Sequence, residues 1–190
     1  MNKNDLRVIK TKKTIHKALL LLLKKKSLPQ IKITELCKEA TINRGTFYFH
    51  YQSVDDVLQE LFEEIMMDLH ISYDEPFKEG LELTVNGLNL NPNSVKIFDH
   101  VKKYEDFYKI VLSEDVSMKY YYMLFDEICK LMNETDYLKH EHQLNKYLHA
   151  YNANAIIGLL IQWYLNNFED SVDMMNNRLV EIVKFRQSLK

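Results

Sequence analysis

The chain has 190 residues, of which 46% are hydrophobic and 27% charged, a composition typical of a globular protein that buries an apolar core. Its longest apolar run, 155–161, spans seven residues including one glycine, far below the roughly 18 of a membrane span, and no apolar segment of a signal peptide follows the N-terminus. Two cysteines, Cys37 and Cys129, make no disulfide framework, so we expect a reduced, cytoplasmic protein without a membrane partner.

The net charge of −2 is distributed unevenly along the chain. Residues 1–54 carry 12 Lys or Arg and three acids, which gives +9, whereas residues 55–190 carry 13 and 24, which gives −11. A basic segment of this kind predicts contact with a polyanion such as double-stranded DNA. A solvated charged face is the alternative interpretation.

The residue pattern predicts an all-α fold of about nine helices, because glycine and proline are scarce and apolar residues recur at spacings of three and four. A first helix is predicted over about 6–26 and ends before Pro29. Thr34 and Asn43 are the predicted N-caps of two short helices, at about 35–40 and 44–50.

Ser53 and Asp56 form a predicted capping box that opens a long helix at about 54–72. Residues 73–93 hold two of the three prolines and an asparagine cluster, and are predicted to form a loop region. Further helices are predicted at about 93–113, 116–134, 140–167 and 172–188.

Four aromatic residues crowd the second short helix, which must therefore serve two surfaces within two turns. Phe47 and Tyr51 share a face and, with Ile42 and Leu36, are predicted to anchor the helix. The other sides are predicted to face DNA: an arginine can read guanine, a glycine lets the backbone approach phosphate, and hydroxyl or imidazole groups can bond phosphates. The predicted DNA-binding residues are Thr34, Asn43, Arg44, Gly45, Thr46, Tyr48 and His50.

The segment Ile33–Ser53 resembles the DNA-binding signature of the TetR/AcrR family of transcriptional regulators. The resemblance rests on Gly45-Thr46-Phe47-Tyr48 followed by His50-Tyr51, with Thr34, Ala40 and Ile42 upstream. Three positions depart from the family pattern: Thr41 replaces the turn glycine, Cys37 replaces an alanine, and Val54 replaces a lysine that touches phosphate.

The resemblance implies an N-terminal three-helix helix-turn-helix domain, residues 1–53, joined by a long helix to an effector-binding and dimerisation domain, residues 54–190. The segment Tyr151–Asn167 resembles the C-terminal domain of the dihydroxyacetone-kinase regulator subgroup of the family.

The helix through residues 155–165 is apolar nearly all round, which predicts burial on several sides. One side can be the core of the monomer and the other a symmetric partner; an internal helix of a monomeric core is the alternative. The resemblance implies that the last two helices form a four-helix dimer interface. The candidate interface residues are Ile157, Gly158, Ile161, Trp163, Leu179 and Ile182.

A pocket for a small-molecule effector is implied by the resemblance alone, with aromatic side chains as its candidate lining. These residues are Phe98, Tyr104, Tyr108, Tyr121 and Phe125, although aromatics at helical spacing are more often core. The pair His140 and His142 lies on divergent helix faces and does not match the zinc motif, so we expect neither a metal nor another cofactor.

These features favour a homodimeric DNA-binding regulator, a repressor as in most of the family, that recognises a palindromic operator. The alternative is a protein-interaction adaptor that keeps the fold without specific DNA binding. An enzyme is not expected, because no phosphate loop, nucleophile elbow or paired catalytic set is present in the sequence.

Overall fold

A computed structural model of the protein describes residues 6–78, 92, 95–135 and 142–188. Within these residues the regular elements are nine α-helices and one 3-10 turn, and no strand occurs, which confirms the all-α prediction. The α-helices are α1 Leu6–Leu23, α2 Ile33–Glu39, α3 Arg44–His50, α4 Val54–Lys78, α5 Ile97–Lys103, α6 Glu105–Val111, α7 Met118–Thr135, α8 His142–Leu165 and α9 Val172–Ser188, and the 3-10 turn is Leu28–Gln30. None of the helices in these ranges is long and apolar enough to cross a membrane.

The contacts divide the chain into two compact units. The first unit contains the described residues up to Met66 together with Ser113–Val116. The second contains the described residues of Met67–Leu112 and Ser117–Lys190. The predicted boundary between a DNA-binding domain, 1–53, and an effector-binding and dimerisation domain, 54–190, stays a prediction.

In the first unit, α1 and α4 present apolar stripes to the core, and α2 and α3 complete a helical cluster. The core side chains are Ile15, Ala18, Leu19, Leu22, Leu36, Phe47, Val57, Leu58, Phe62 and Ile65. Helix α1 ends at Leu23, three residues before the predicted end. The amide of Lys25 bonds the carbonyl of Leu22, an i→i−3 bond that tightens the final turn before Pro29.

Helix α2 begins at Ile33, two residues earlier than expected, which corrects the prediction that Thr34 is its N-cap. The cap residue is Lys32, whose carbonyl accepts the amides of Glu35 and Leu36, both at 3.0 Å. Thr34 lies inside the first turn and is exposed. A helix begins at the first carbonyl that accepts an intrahelical hydrogen bond. In α2 this carbonyl belongs to Lys32, two residues before Thr34, so the Thr34 side chain cannot cap the helix.

In the second unit, the predicted single helix over 93–113 is two helices, α5 and α6, broken at Tyr104. Tyr104 has φ −112° and ψ 34°, so it ends α5 and begins α6 at once. With this break, each short helix buries one face in the core of the unit. The buried side chains are Phe98 and Val101 of α5 and Phe107 and Tyr108 of α6.

Helix α8 packs against α7 and buries one face in the core of the second unit. Ala153, Ile157, Leu160 and Trp163 form the buried face. The opposite face is exposed and carries Tyr147, Tyr151, Ala155, Gly158, Gln162 and Leu165. Among the described residues of the second unit, therefore, the apolar residues on this side of α8 remain exposed to solvent.

Candidate nucleic-acid interface

The turn between α2 and α3 is held by two backbone hydrogen bonds that form a Schellman motif. The amide of Ile42 bonds the carbonyl of Cys37 at 3.0 Å, and the amide of Thr41 bonds that of Lys38 at 3.2 Å. This motif needs a residue in the left-handed conformation, and Thr41 adopts it with φ 54°. The family glycine that Thr41 replaces would meet the same requirement without strain.

Asn43 is the N-cap of α3, as the sequence predicts. Its Oδ1 accepts the amide of Thr46 at 2.7 Å and the Thr46 hydroxyl at 3.0 Å. The polar ends of both side chains are therefore engaged with each other at the start of the helix. The methyl group of Thr46 remains as its apolar contact atom.

The inward face of α3 matches the prediction. Phe47 is fully buried and Tyr51 is 5% exposed, with their ring centroids 5.8 Å apart. Leu36 is buried beside them and Ile42 is half-buried. These contacts attach α3 to its unit through one side only, which leaves the other side available to a partner.

The outward face of α3 carries Arg44, Gly45, Tyr48 and Phe49, all of them exposed. The Arg44 guanidinium lies 5.8 Å from the Tyr48 ring centre, and its Nη2 is 3.4 Å from the Tyr48 hydroxyl. This contact orients the cation on the helix surface and adds a cation–π attraction.

Phe49 belongs to this face, although sequence reasoning did not select it. Its side chain is 61% exposed, in an aromatic residue that a soluble helix normally buries. At 100° per residue, Phe49 and Gly45 lie opposite Phe47, at the centre of the outward face. The helical period that places Phe47 and Tyr51 on the buried side also places Phe49 on the opposite side, so the sequence was sufficient to select Phe49.

Gly45 has a second reason to lack a side chain. A Cβ atom built at this position would lie 3.3 Å from Oδ1 of Asn43, the atom that caps the helix. The glycine thus leaves room for the cap as well as for a close backbone approach.

The remaining predicted contact residues lie at the edges of this face. His50 is half-buried at the end of α3, and burial, with a smaller effect of Lys12, lowers its pKa from the usual value. Thr34 is exposed in the first turn of α2. Val54, at the position of the family lysine, is only 9% exposed and packs into the core, so it offers no phosphate contact.

A polar cluster joins α1, the end of α3 and α4 behind this surface. The Tyr51 hydroxyl and Lys12 Nζ both donate to the Glu60 carboxylate, and His16 Nε2 lies 3.1 Å from the Tyr51 oxygen. Burial opposes ionisation of Glu60, but these two hydrogen bonds lower its pKa below the usual value. For His16, burial dominates over the nearby carboxylates and lowers the pKa.

The predicted effector-pocket residues all lie in the second unit, and four of them have contacts there with other side chains. Phe98 packs edge-on against Trp163 with centroids 5.7 Å apart. The Tyr108 hydroxyl lies 3.0 Å from His100 Nδ1, and the His100 ring also contacts Tyr104. Tyr121 donates to Asn154 at 2.6 Å, and Phe125 is half-buried.

The predicted dimer residues differ in exposure. Ile157 and Trp163 are each 1% exposed and have their contacts inside the second unit. Gly158 and Ile182 are exposed, and Ile161 and Leu179 are half-buried. His140 lies outside the described residues, and His142 is the first residue of α8.

Known proteins resemble the chain in family and in fold. The family model TetR_C_8, described as "Transcriptional regulator C-terminal region", matches residues 89–185, about half of the chain. Among solved structures, the dihydroxyacetone kinase operon activator DhaS is 19% identical, with 94% of this chain and 97% of that chain covered and a TM-score of 0.63. A TetR transcriptional regulator from Streptococcus agalactiae is 22% identical, with 93% and 95% covered and a TM-score of 0.61.

A third similar structure is the transcriptional regulator FadR from Bacillus subtilis in complex with stearoyl-CoA. It is 17% identical, with 90% of this chain and 96% of that chain covered and a TM-score of 0.62. At these identities the structures establish a shared all-α fold. With the family match over residues 89–185, the chain belongs to the TetR family of transcriptional regulators.

Proposed function

We propose that the protein is a homodimeric DNA-binding regulator that recognises a palindromic operator. The observation that carries this proposal is the outward face of α3, where Arg44, Tyr48 and Phe49 are exposed around Gly45. Two large aromatic side chains and a cation, exposed together on a short helix of a basic segment, suit a nucleic-acid surface. Phe47 and Tyr51 anchor the opposite side of the helix in the core.

Each side chain of this face has a distinct role in the proposal. Arg44 donates to the guanine O6 and N7 atoms in the major groove, where a fork of N–H groups matches two acceptors. Phe49 and the Thr46 methyl contact thymine methyl groups or sugars. Tyr48 and His50 bond phosphates, which positions the helix without reading sequence.

Thr34 and the first backbone amides of α2 also donate hydrogen bonds to a phosphate, because the N–H groups at the N-terminus of a helix are free to bind an anion. Val54 takes no part, so the charge contact of the family lysine must come from the lysines of the basic segment. Lys10 and Lys13 of α1 and Lys32 are exposed and suit this role.

A single short helix contacts few bases, so specific binding needs two half-sites about 34 Å apart and a two-fold dimer. The exposed face of α8, with Tyr151, Ala155, Gly158 and Leu165, is the proposed dimer surface. Ile182 and Phe185 of α9 are also exposed and extend it. Ile157 and Trp163 support this surface from inside the unit.

A small-molecule effector that binds the second unit controls DNA affinity in this proposal, and the regulator is a repressor. The effector acts only through different affinities for the DNA-binding and released conformations. Acyl-CoA thioesters are the first class to screen, because the similar structure of Bacillus subtilis FadR holds stearoyl-CoA.

The test is fluorescence anisotropy of the purified full chain with DNA from its own upstream region, across a salt series. We expect selective binding whose affinity falls steeply with salt, since phosphate contacts release counterions. Arg44→Ala should weaken specific binding by roughly 5- to 150-fold, because a bidentate guanine contact discriminates by about 1–3 kcal/mol.

The matched control is Lys146→Ala, which removes one exposed cation from α8 and leaves α3 unchanged. Equal losses for the two variants would show that charge alone matters and would contradict a reading role for Arg44. If selection from random DNA also returns no preferred site, the adaptor function replaces the regulator. An adaptor should keep its protein partner in the Arg44→Ala variant.

A further inference from the structure

The cluster behind α3 contains three potential metal ligands from two helices. His16 comes from α1, and Glu60 and Glu64 come from successive turns of α4. Each offers one ligand atom, and the three atoms lie within 4.8 Å of one another. Imidazole nitrogen with carboxylate oxygen is a ligand set that first-row divalent cations accept.

The hydrogen bonds around His16 determine which ring nitrogen is available. Tyr51 gives its only hydroxyl proton to Glu60, so the Tyr51 oxygen can only accept from His16 Nε2, 3.1 Å away. The Nε2 atom therefore carries the proton in the neutral ring. Its other nitrogen, Nδ1, is left with a lone pair.

A carboxylate oxygen lies close to this nitrogen. His16 Nδ1 lies 3.4 Å from Glu64 Oε2, a distance at which two acceptor atoms repel unless a proton or a metal cation lies between them. Two ligand atoms each about 2.0–2.2 Å from a tetrahedral ion are themselves roughly 3.4 Å apart. The observed pair thus already has the separation that a bound zinc ion requires.

The surrounding groups are those that support metal ligands in proteins. A ligating histidine usually donates its other N–H to an oxygen, and ligating carboxylates are themselves hydrogen-bonded. Here His16 donates to Tyr51, while Glu60 accepts from Tyr51 and Lys12. His16 is 5% exposed and fixed in the core, whereas the Glu64 side chain is 54% exposed and can adjust to an ion.

We propose that His16, Glu60 and Glu64 form a binding site for a divalent cation of the Zn²⁺ type that bridges α1 and α4. The two carboxylates outweigh the single charge of Lys12, so the cluster keeps a net negative charge for the cation. Neutral imidazole is the form that binds metals. This site does not depend on DNA binding and lies within the first unit.

The test is isothermal titration calorimetry of the full chain with ZnCl₂ after treatment with a chelator. We expect one ion per chain, and a thermal midpoint that rises with Zn²⁺ concentration because the ion binds the folded state. Glu64→Gln removes one charged ligand at an exposed position and should raise the Kd by at least roughly 10-fold, the smallest loss typical of a residue that only supports a metal ligand.

Two controls separate this site from other zinc ligands. Glu63→Gln changes the adjacent, exposed acid of α4, which pairs with Gln59, and should leave the Kd unchanged. A chain with His140→Ala and His142→Ala should also bind as before. Absence of binding to the original chain, an unchanged Kd in Glu64→Gln, or loss of binding in the double histidine variant would each overturn the proposal.

Discussion

Among single residues, Thr41 carries the clearest backbone strain of the first unit. It is β-branched and lies at φ 54°, a region that costs a non-glycine residue about 1–2 kcal/mol. Its neighbours require this conformation, because the amides of Thr41 and Ile42 complete the turn between α2 and α3. The turn therefore adopts the left-handed conformation at Thr41 even though a β-branched residue disfavours it.

We predict that Thr41→Gly raises the free energy of unfolding by about 0.5–1 kcal/mol. The gain is the relief of strain less the extra entropy of glycine in the unfolded chain. Urea unfolding followed by far-UV circular dichroism measures it. Asn167→Gly is the matched control, since Asn167 occupies the same position after α8 at φ 50° and asparagine tolerates it. An equal gain in both variants would contradict the role of β-branching.

Glu105, the first residue of α6, is held between two lysines of the second unit. It lies 2.7 Å from Lys102 and 2.6 Å from Lys109, and these hydrogen bonds, Lys102 first, lower the pKa of the Glu105 carboxyl. A carboxyl with a lowered folded pKa stabilises the protein above its unfolded pKa. That contribution is lost as the pH falls through the folded pKa.

We predict that Glu105→Gln costs under about 1 kcal/mol at pH 7, because the side chains of both lysines are partly exposed to solvent, at 47% and 42%. The difference between variant and original chain should shrink toward zero below pH ~4. Unfolding followed by the fluorescence of the single tryptophan, Trp163, reports on this unit. Glu169→Gln, an exposed acid of the same unit, should show a smaller difference. A difference for Glu105→Gln that does not change with pH would rule out the charge effect.

Among the elements, the end of α8 combines a backbone motif with an aromatic contact. The amide of Phe168 bonds the carbonyl of Trp163, and their rings meet edge-on with centroids 5.0 Å apart. Trp163 also donates its indole N–H to the carbonyl of Asp170 at 3.1 Å. A hydrophobic contact between these two positions commonly accompanies this type of helix end.

We predict that Phe168→Ala lowers the free energy of unfolding by about 3 kcal/mol, as expected for removal of a buried aromatic side chain. Phe168 is 2% exposed, so its removal leaves a cavity beside Trp163. Trp163 fluorescence during urea unfolding measures the loss. The control is Tyr122→Ala on α7, 60% exposed, for which we expect about 0.5 kcal/mol or less.

The helix boundaries show how far local sequence determines an element. Asn43 and the pair Ser53 and Asp56 act as predicted, because a cap depends on residues three positions apart. Thr34 does not cap α2, since the preceding Lys32 carbonyl already accepts the first amides. The break at Tyr104 was also missed, because it depends on burial of two helices against their unit.

For the whole molecule, the proposed dimer gives the most direct test. A Cβ atom at Gly158 would meet nothing within 4 Å in the single chain, so a side chain there fits the isolated fold. We predict that Gly158→Arg yields a folded monomer, because the charge and bulk obstruct only a partner copy. Light scattering after size-exclusion chromatography measures the mass.

The matched control for the dimer is Tyr122→Arg, which places the same charge on the exposed side of α7. It should leave the mass of the assembly unchanged. A Gly158→Arg chain that remains dimeric would place the partner surface elsewhere. A chain that is monomeric before any change would contradict the dimer proposal itself.

The sequence by itself determined the helical class, the position and cap of α3, and the inward side of that helix. These features depend on residues three or four positions apart, and such neighbours can be identified directly from the sequence. The family signature over Ile33–Ser53 rests on the same local pattern. So does the basic character of residues 1–54.

The tertiary structure decided which face of α8 is covered, where α5 gives way to α6, and which residues meet behind α3. His16, Glu60 and Glu64 are far apart in sequence, and only the packing of α1 on α4 places their ligand atoms within 4.8 Å. The exposed side of α8 also carries apolar residues, among them Ala155 and Leu165. The hydrophobic pattern indicates which side chains would gain free energy by burial. Only packing between segments distant in sequence decides which of them are buried.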